Sequence, residues 1–158
     1  MSRISHENLA LARFRELAEA NGFKVFSGQG AGNRIVIDGG VYYQFGDLRV
    51  ELPDCTLIIE VESSGGVTNL AKYWECYEFG RLVKPLKLLH LFRQISANDY
   101  KSHMVAWRFL CDRMHAELGD RFEGHLLTYQ DGQQSSLEPA LSIFADWLAR
   151  KAANSGMP

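Results

Sequence analysis

Asp47, Glu60 and Glu62 are the side chains through which this chain could do chemistry, and the residues between them say how they would meet. The stretch from Gly46 to Glu62 has strand-forming residues on both sides of Pro53-Asp54, and Pro suits the second position of a type I turn. Folding about that corner pairs Leu52 with Cys55, Glu51 with Thr56 and Asp47 with Glu60. Side chains alternate faces along a strand, so Asp47 and Glu60 are expected to face each other with Cβ atoms roughly 4.5–5.5 Å apart, and Glu62 follows on the Glu60 face. Three carboxylates gathered this way repel unless one is protonated or a positive charge lies between them, most simply a divalent cation held by oxygen ligands. As bare charges, Asp47, Arg49 and Glu51 would read as a solvated strand face continued by Glu60 and Glu62. The run Thr56-Leu57-Ile58-Ile59 argues against that, because it has no polar alternation and so fits a strand buried on both faces. Carboxylates at the end of such a strand need a compensating partner.

The elements that must position these acids follow from periodicity and punctuation. Ser5 to Asn21 has a capping Ser, an acidic first turn and apolar Leu11, Phe14, Leu17 and Ala18 ahead of Gly22, the pattern of an amphipathic helix. Phe23 to Ser27 is expected as a short strand, and Gly28-Gln29-Gly30-Ala31-Gly32-Asn33 as a flexible link, since neither a helix pattern nor a Lys-Ser/Thr ending follows to make it a phosphate loop. Strands are expected over Arg34 to Asp38 and Val41 to Phe45 around a Gly39-Gly40 turn. After Ser63-Ser64-Gly65-Gly66, Thr68 caps a helix running to about Leu82, with Pro85 blocking its continuation. A strand over Leu86 to Phe92, a helix over Asp99 to Leu118, a strand over Gly124 to Tyr129 and a helix over Ser136 to Lys151 complete the order, with Ala152 to Pro158 as a frayed tail. Strand, long helix and strand in succession imply parallel pairing by crossover.

Composition bounds the rest. The 158 residues suit one domain, and 46% hydrophobic with 23% charged residues is globular usage. No apolar run approaches the ~20 residues of a membrane span and no signal-peptide core is evident, which points to the cytoplasm and to no membrane partner. Cys55, Cys76 and Cys111 lack C-x-x-C spacing and are expected as buried reduced thiols. A formal charge of −2 excludes a broadly basic nucleic-acid-coating protein, so any such role must rest on a local patch and on bound metal. Arg81, Lys84 and Lys87 are expected to be solvated, and His90, inside an apolar strand, to be a satisfied core residue.

This order of elements, with an acidic hairpin just before a helix, resembles the PD-(D/E)xK nuclease superfamily. The resemblance covers roughly residues 5 to 93 and implies a restriction-endonuclease-like α/β fold over 1–158. Its mixed sheet would have an antiparallel hairpin core flanked by helices, with an added C-terminal β-α unit. Asp47 stands where the family's Asp stands, Glu60 at the start of its E-x-K pair, and Glu62 where Lys is usual. Asn69-Leu70-Ala71-Lys72-Tyr73 is similar to the family motif in which Gln, sometimes with a relocated Lys, approaches the site from the following helix. Glu7, or alternatively Glu16, looks like the acidic residue many members carry on the first helix.

The resemblance implies a Mg²⁺-dependent nuclease, Mn²⁺ being a substitute, acting on DNA. Its ion would be held by Asp47, Glu60 and the backbone carbonyl of Val61, with Glu62 holding a second ion or orienting the attacking water. Lys72 would supply the charge of the absent E-x-K lysine, because Thr68 and Lys72 share one helix face. Asn69 and Tyr73 would support it, Tyr73 by stacking on a base if exposed. Nucleic acid and a second copy of the chain in a homodimer are the expected partners. The alternatives are a catalytically inactive nuclease fold retained for nucleic-acid or protein binding, and an unrelated α/β domain.

Overall fold

A computed structural model describes residues 6–62, 68–96, 99 and 101–154 of the chain. The elements are α1 (His6–Ala20), β1 (Val25–Ser27), β2 (Arg34–Asp38), β3 (Val41–Gln44), β4 (Leu48–Glu51), β5 (Thr56–Glu62), α2 (Thr68–Glu78), β6 (Leu86–Arg93), α3 (Lys101–Leu118), β7 (Phe122–Tyr129) and α4 (Glu138–Asn154). Five strands form one mixed sheet in the order β1-β4-β5-β6-β7, and β2 and β3 form a separate antiparallel pair. Within the large sheet β1, β4 and β5 are antiparallel, whereas β5, β6 and β7 run parallel through the crossovers made by α2 and α3. This is the expected mixed α/β architecture, with β7 and α4 as the added C-terminal unit.

Strand β5 is the centre of the molecule, and its alternation sorts the two cores. Leu57, Ile59 and Val61 join Phe14 of α1 and Phe144 of α4 on one face of the sheet. Ile58 joins Leu70 and Tyr73 of α2 and Trp107 and Met114 of α3 on the other. Both faces of β5 are buried, as its unalternating apolar run requires. The three cysteines are buried and free.

Several boundaries differ from the sequence expectation. Helix α2 stops at Glu78 because Gly80, with φ +65°, ends it. There Gly80 N–H bonds Tyr77 O and Arg81 N–H bonds Cys76 O, so the left-handed glycine cap acts before Pro85 can. Helix α3 begins at Lys101, and the Asp99 carboxylate instead accepts the N–H groups of Ile95 and Ser96, which holds its pKa below the usual range. Strand β7 starts at Phe122, and a 3-10 turn over Gln134–Leu137 precedes α4, whose backbone stays helical to Asn154 within the expected tail. The Ser5 cap, the link Ser63-Ser64-Gly65-Gly66 and residues 155–158 lie outside the described residues.

The glycine-rich link is not a loose loop. Asn33, 2% exposed, donates from Nδ2 to Gly28 O and Gly46 O at 2.9 Å each and accepts from Arg49 Nε at 3.1 Å. A buried amide with its hydrogen bonds filled fastens the link, and with it the chain entering Asp47, against β4.

Candidate functional site

The hairpin has the expected register along its ladder, from Glu51↔Thr56 to Leu48↔Ile59. Leu52 N–H bonds Cys55 O across the Pro53-Asp54 corner. Direct pairing of Asp47 with Glu60 is replaced by an offset. Gly46 turns the chain at φ +82°, Asp47 N–H bonds Ile59 O at 3.1 Å, and Asp47 Oδ2 reaches past Glu60 to accept the Val61 N–H at 2.8 Å. The part of Val61 bound to Asp47 is therefore its N–H, while its side chain packs among α1 and α4.

Gly46 is needed there for two reasons. Its φ is left-handed, and a Cβ would stand 2.7 Å from Ile58 Cγ2 and 3.2 Å from Leu48 O. Gly46→Ala is expected to destabilise the protein by roughly 2–5 kcal/mol, combining left-handed strain with overpacking of the Ile58 core. Urea unfolding measures this, and a cost under about 0.5 kcal/mol, the scatter of ordinary surface substitutions, would show that the bend relaxes freely.

Glu60 is 3% exposed and its hydrogen bonds come from α2. Lys72 Nζ lies 2.8 Å and the Tyr73 hydroxyl 2.5 Å from Glu60 Oε1. Lys72 also donates to Gln44 O at 3.1 Å, and Gln44 Nε2 donates to Asp47 Oδ1 at 2.9 Å. One lysine is thus tied to both acids, to Glu60 directly and to Asp47 through Gln44. Tyr73 is wholly buried, which removes base stacking as its role; burial and the Glu60 charge hold its hydroxyl well above the ordinary tyrosine pKa, so it stays a donor. Glu62 accepts from Asn69 Nδ2 at 2.7 Å on Oε1, and His90 Nε2 stands 3.5 Å from the same oxygen.

Asp47 carries the electrostatic consequence. Burial first, then the Glu60 charge, push its pKa up to about 7; Glu62 adds to this, while the Val61 N–H and Lys72 oppose it. Asp47 lines a cleft of about 500 Å³ whose other wall is α1, with Glu7, Arg15 and Glu16. Both candidate first-helix acids therefore reach the Asp47 cleft. Arg15, which donates to Ser27 Oγ, is the cation of that wall.

The donors are hard oxygens suited to Mg²⁺ or Mn²⁺, and the charge excess at Asp47 is what a cation would relieve. Among the described residues, however, no group of three acidic, histidine or cysteine side chains is gathered to hold an ion unaided. Asp47 and Glu60, coupled through their charges, are the two acids that would hold such an ion, the rest of its shell coming from other oxygen ligands such as water. Lys72 already places one positive charge on Glu60.

Gln44, His90 and Trp107 were not legible as site residues. Gln44 lies three residues before Asp47, which is a local signal, but His90 and Trp107 arrive through parallel pairing and helix packing. Arg81, Lys84 and Lys87 are each paired with an acid, Glu75, Glu51 and Glu123 in turn, and form no free basic patch. No helix among the described residues is long and apolar enough to cross a membrane. No family profile, curated protein or solved structure matches this chain significantly.

Proposed function

We propose that this chain is a metal-dependent nuclease hydrolysing phosphodiester bonds in DNA, with Asp47 and Glu60 as ion ligands, Lys72 as the relocated cation and Glu62 as the acceptor of the water proton. The observation that carries this is the Lys72 amine 2.8 Å from Glu60: the charge missing at position 62 reaches the acid from the next helix. A bound Mg²⁺ or Mn²⁺ would neutralise phosphate charge and acidify a coordinated water. The residues do the rest. Val61 N–H and Gln44 Nε2 orient Asp47, Tyr73 and Lys72 orient Glu60, and Asn69 holds Glu62 Oε1 so that Oε2 is left to take a proton. Arg15, in the cleft wall and paired with Ser27 Oγ and Glu19, would be the cation that meets a phosphate of the strand.

Cleavage of a labelled DNA duplex and of the same strand alone, each with Mg²⁺, Mn²⁺ or chelator, tests this reading alongside thermal melts. Saturating ion at ~100 times Kd stabilises a protein by about 2.7 kcal/mol, so the melting midpoint should rise by several degrees. An unchanged melt together with intact DNA would leave the second reading, an inactive nuclease fold serving nucleic-acid or protein binding. That reading is favoured by the self-sufficiency of Glu60, whose charge Lys72 and Tyr73 already satisfy.

A further inference from the structure

We propose that His90 is a positioning residue for Glu62, donating its Nε2–H to that carboxylate while Trp107 decides which ring nitrogen carries the proton. His90 has no exposed surface, and its β6 position pairs with Glu60 in parallel register, on the same sheet face as Glu60 and Glu62. Trp107 Nε1 lies 2.7 Å from His90 Nδ1. An indole N–H can only donate, so Nδ1 accepts and the proton of the neutral ring sits on Nε2. That Nε2 is buried and has no hydrogen bond, yet it stands 3.5 Å from Glu62 Oε1. A shift of about half an ångström closes the contact to hydrogen-bond length.

The ring is held for this purpose. Phe92 packs on it with centroids 4.9 Å apart, and Trp107 meets it edge-on at 6.1 Å. Glu62 would then be gripped from two elements, by Asn69 of α2 and by His90 of β6, which fixes a carboxylate that one donor alone leaves free to rotate. The same tautomer excludes His90 as a metal ligand, because ligation needs the Nε2 lone pair that the proton occupies. The positioning role rests on Glu62 belonging to the hydrolytic site; the hydrogen bond does not.

Two measurements separate these. In metal-free protein labelled with ¹⁵N-histidine, two-bond ¹H–¹⁵N correlation is expected to show His90 protonated at Nε2, with that resonance moved by Glu62→Gln and the tautomer preference relaxed by Trp107→Phe. A proton on Nδ1, or an Nε2 signal indifferent to Glu62→Gln, overturns the proposal. Cleavage of labelled DNA with Mn²⁺ present is then compared in His90→Gln, whose amide can donate from the Nε2 place, and His90→Asn, whose oxygen can accept from Trp107 but whose amide falls short of Glu62. Gln is expected to cleave nearly as the wild type does and Asn ~10–100-fold more slowly, with Mn²⁺ affinity unchanged in both, the scale for losing a group that orients a functional carboxylate. The reverse order would make His90 a mere support for Trp107 and overturn the proposal. A wild type that cleaves no DNA sinks the nuclease assignment instead, and the ¹⁵N measurement alone then decides the His90–Glu62 bond.

Discussion

Lys72→Ala is expected to cost about 3–5 kcal/mol of stability, because it removes one partner of a buried ion pair and leaves the Glu60 charge uncompensated. Glu60 is 3% and Lys72 12% exposed at the side chain, so solvent screens the orphaned carboxylate only weakly. Gln44 O loses its donor as well, which loosens the chain entering Asp47. The double variant Lys72→Met/Glu60→Gln should recover much of the loss, since removing both charges also removes their desolvation cost. If the protein is a nuclease, Lys72→Ala should also lower cleavage by ~10²–10³, the scale for losing one group that stabilises transition-state charge. Urea unfolding of the single and double variants, with and without Mn²⁺, measures the first effect and a cleavage assay the second. Mn²⁺ should stabilise Lys72→Ala more than the wild type, the ion taking over the neutralisation of Glu60. A single variant as stable as the wild type would mean that the amine is not what keeps Glu60 buried.

Asp47→Asn should make the protein more stable above neutrality and flatten its pH dependence. Burial and the Glu60 charge raise the Asp47 pKa to about 7 from its ordinary 3.8, so between those pH values the folded state holds a proton that the unfolded chain releases. A carboxyl raised in this way favours folding below its unfolded pKa; that advantage is lost as pH rises from about 4 through 7. At ~1.4 kcal/mol per pH unit, the displacement of about three units corresponds to roughly 4 kcal/mol by pH 8. Asn is neutral at every pH and can still accept the Val61 N–H, although its amide must be accommodated beside Gln44 Nε2, which trims the gain. Unfolding curves of both proteins at pH 5 and pH 8 check this. The wild type should lose about 2–3 kcal/mol relative to Asp47→Asn between those values, and curves that stay parallel would show that Asp47 is ionised at little cost.

Local rules carried the sequence a long way for this protein. The Pro53-Asp54 corner set the hairpin register to Leu48↔Ile59, because turn length and strand alternation are properties of neighbouring residues. The Thr56–Ile59 run marked the central strand, because only a strand covered on both faces can be apolar without alternation. The helix face from Thr68 brought Asn69, Lys72 and Tyr73 to the acids, as 3.6-residue periodicity requires.

What tertiary structure alone decided was the partner of each charge. The offset of Asp47 from Glu60 depends on Gly46 being pressed against Ile58 of the facing strand, a contact no local pattern encodes. Whether Tyr73 faced solvent or Glu60 depended on where α2 lies over the sheet. His90 was expected as a satisfied core residue and is core, but its Nε2 has no hydrogen bond; parallel pairing of β6 with β5 sets that nitrogen beside Glu62, and α3 delivers Trp107 to the other. Periodicity says which face of an element is buried; which polar groups meet inside is settled only when separate elements pack and every buried donor must find its acceptor.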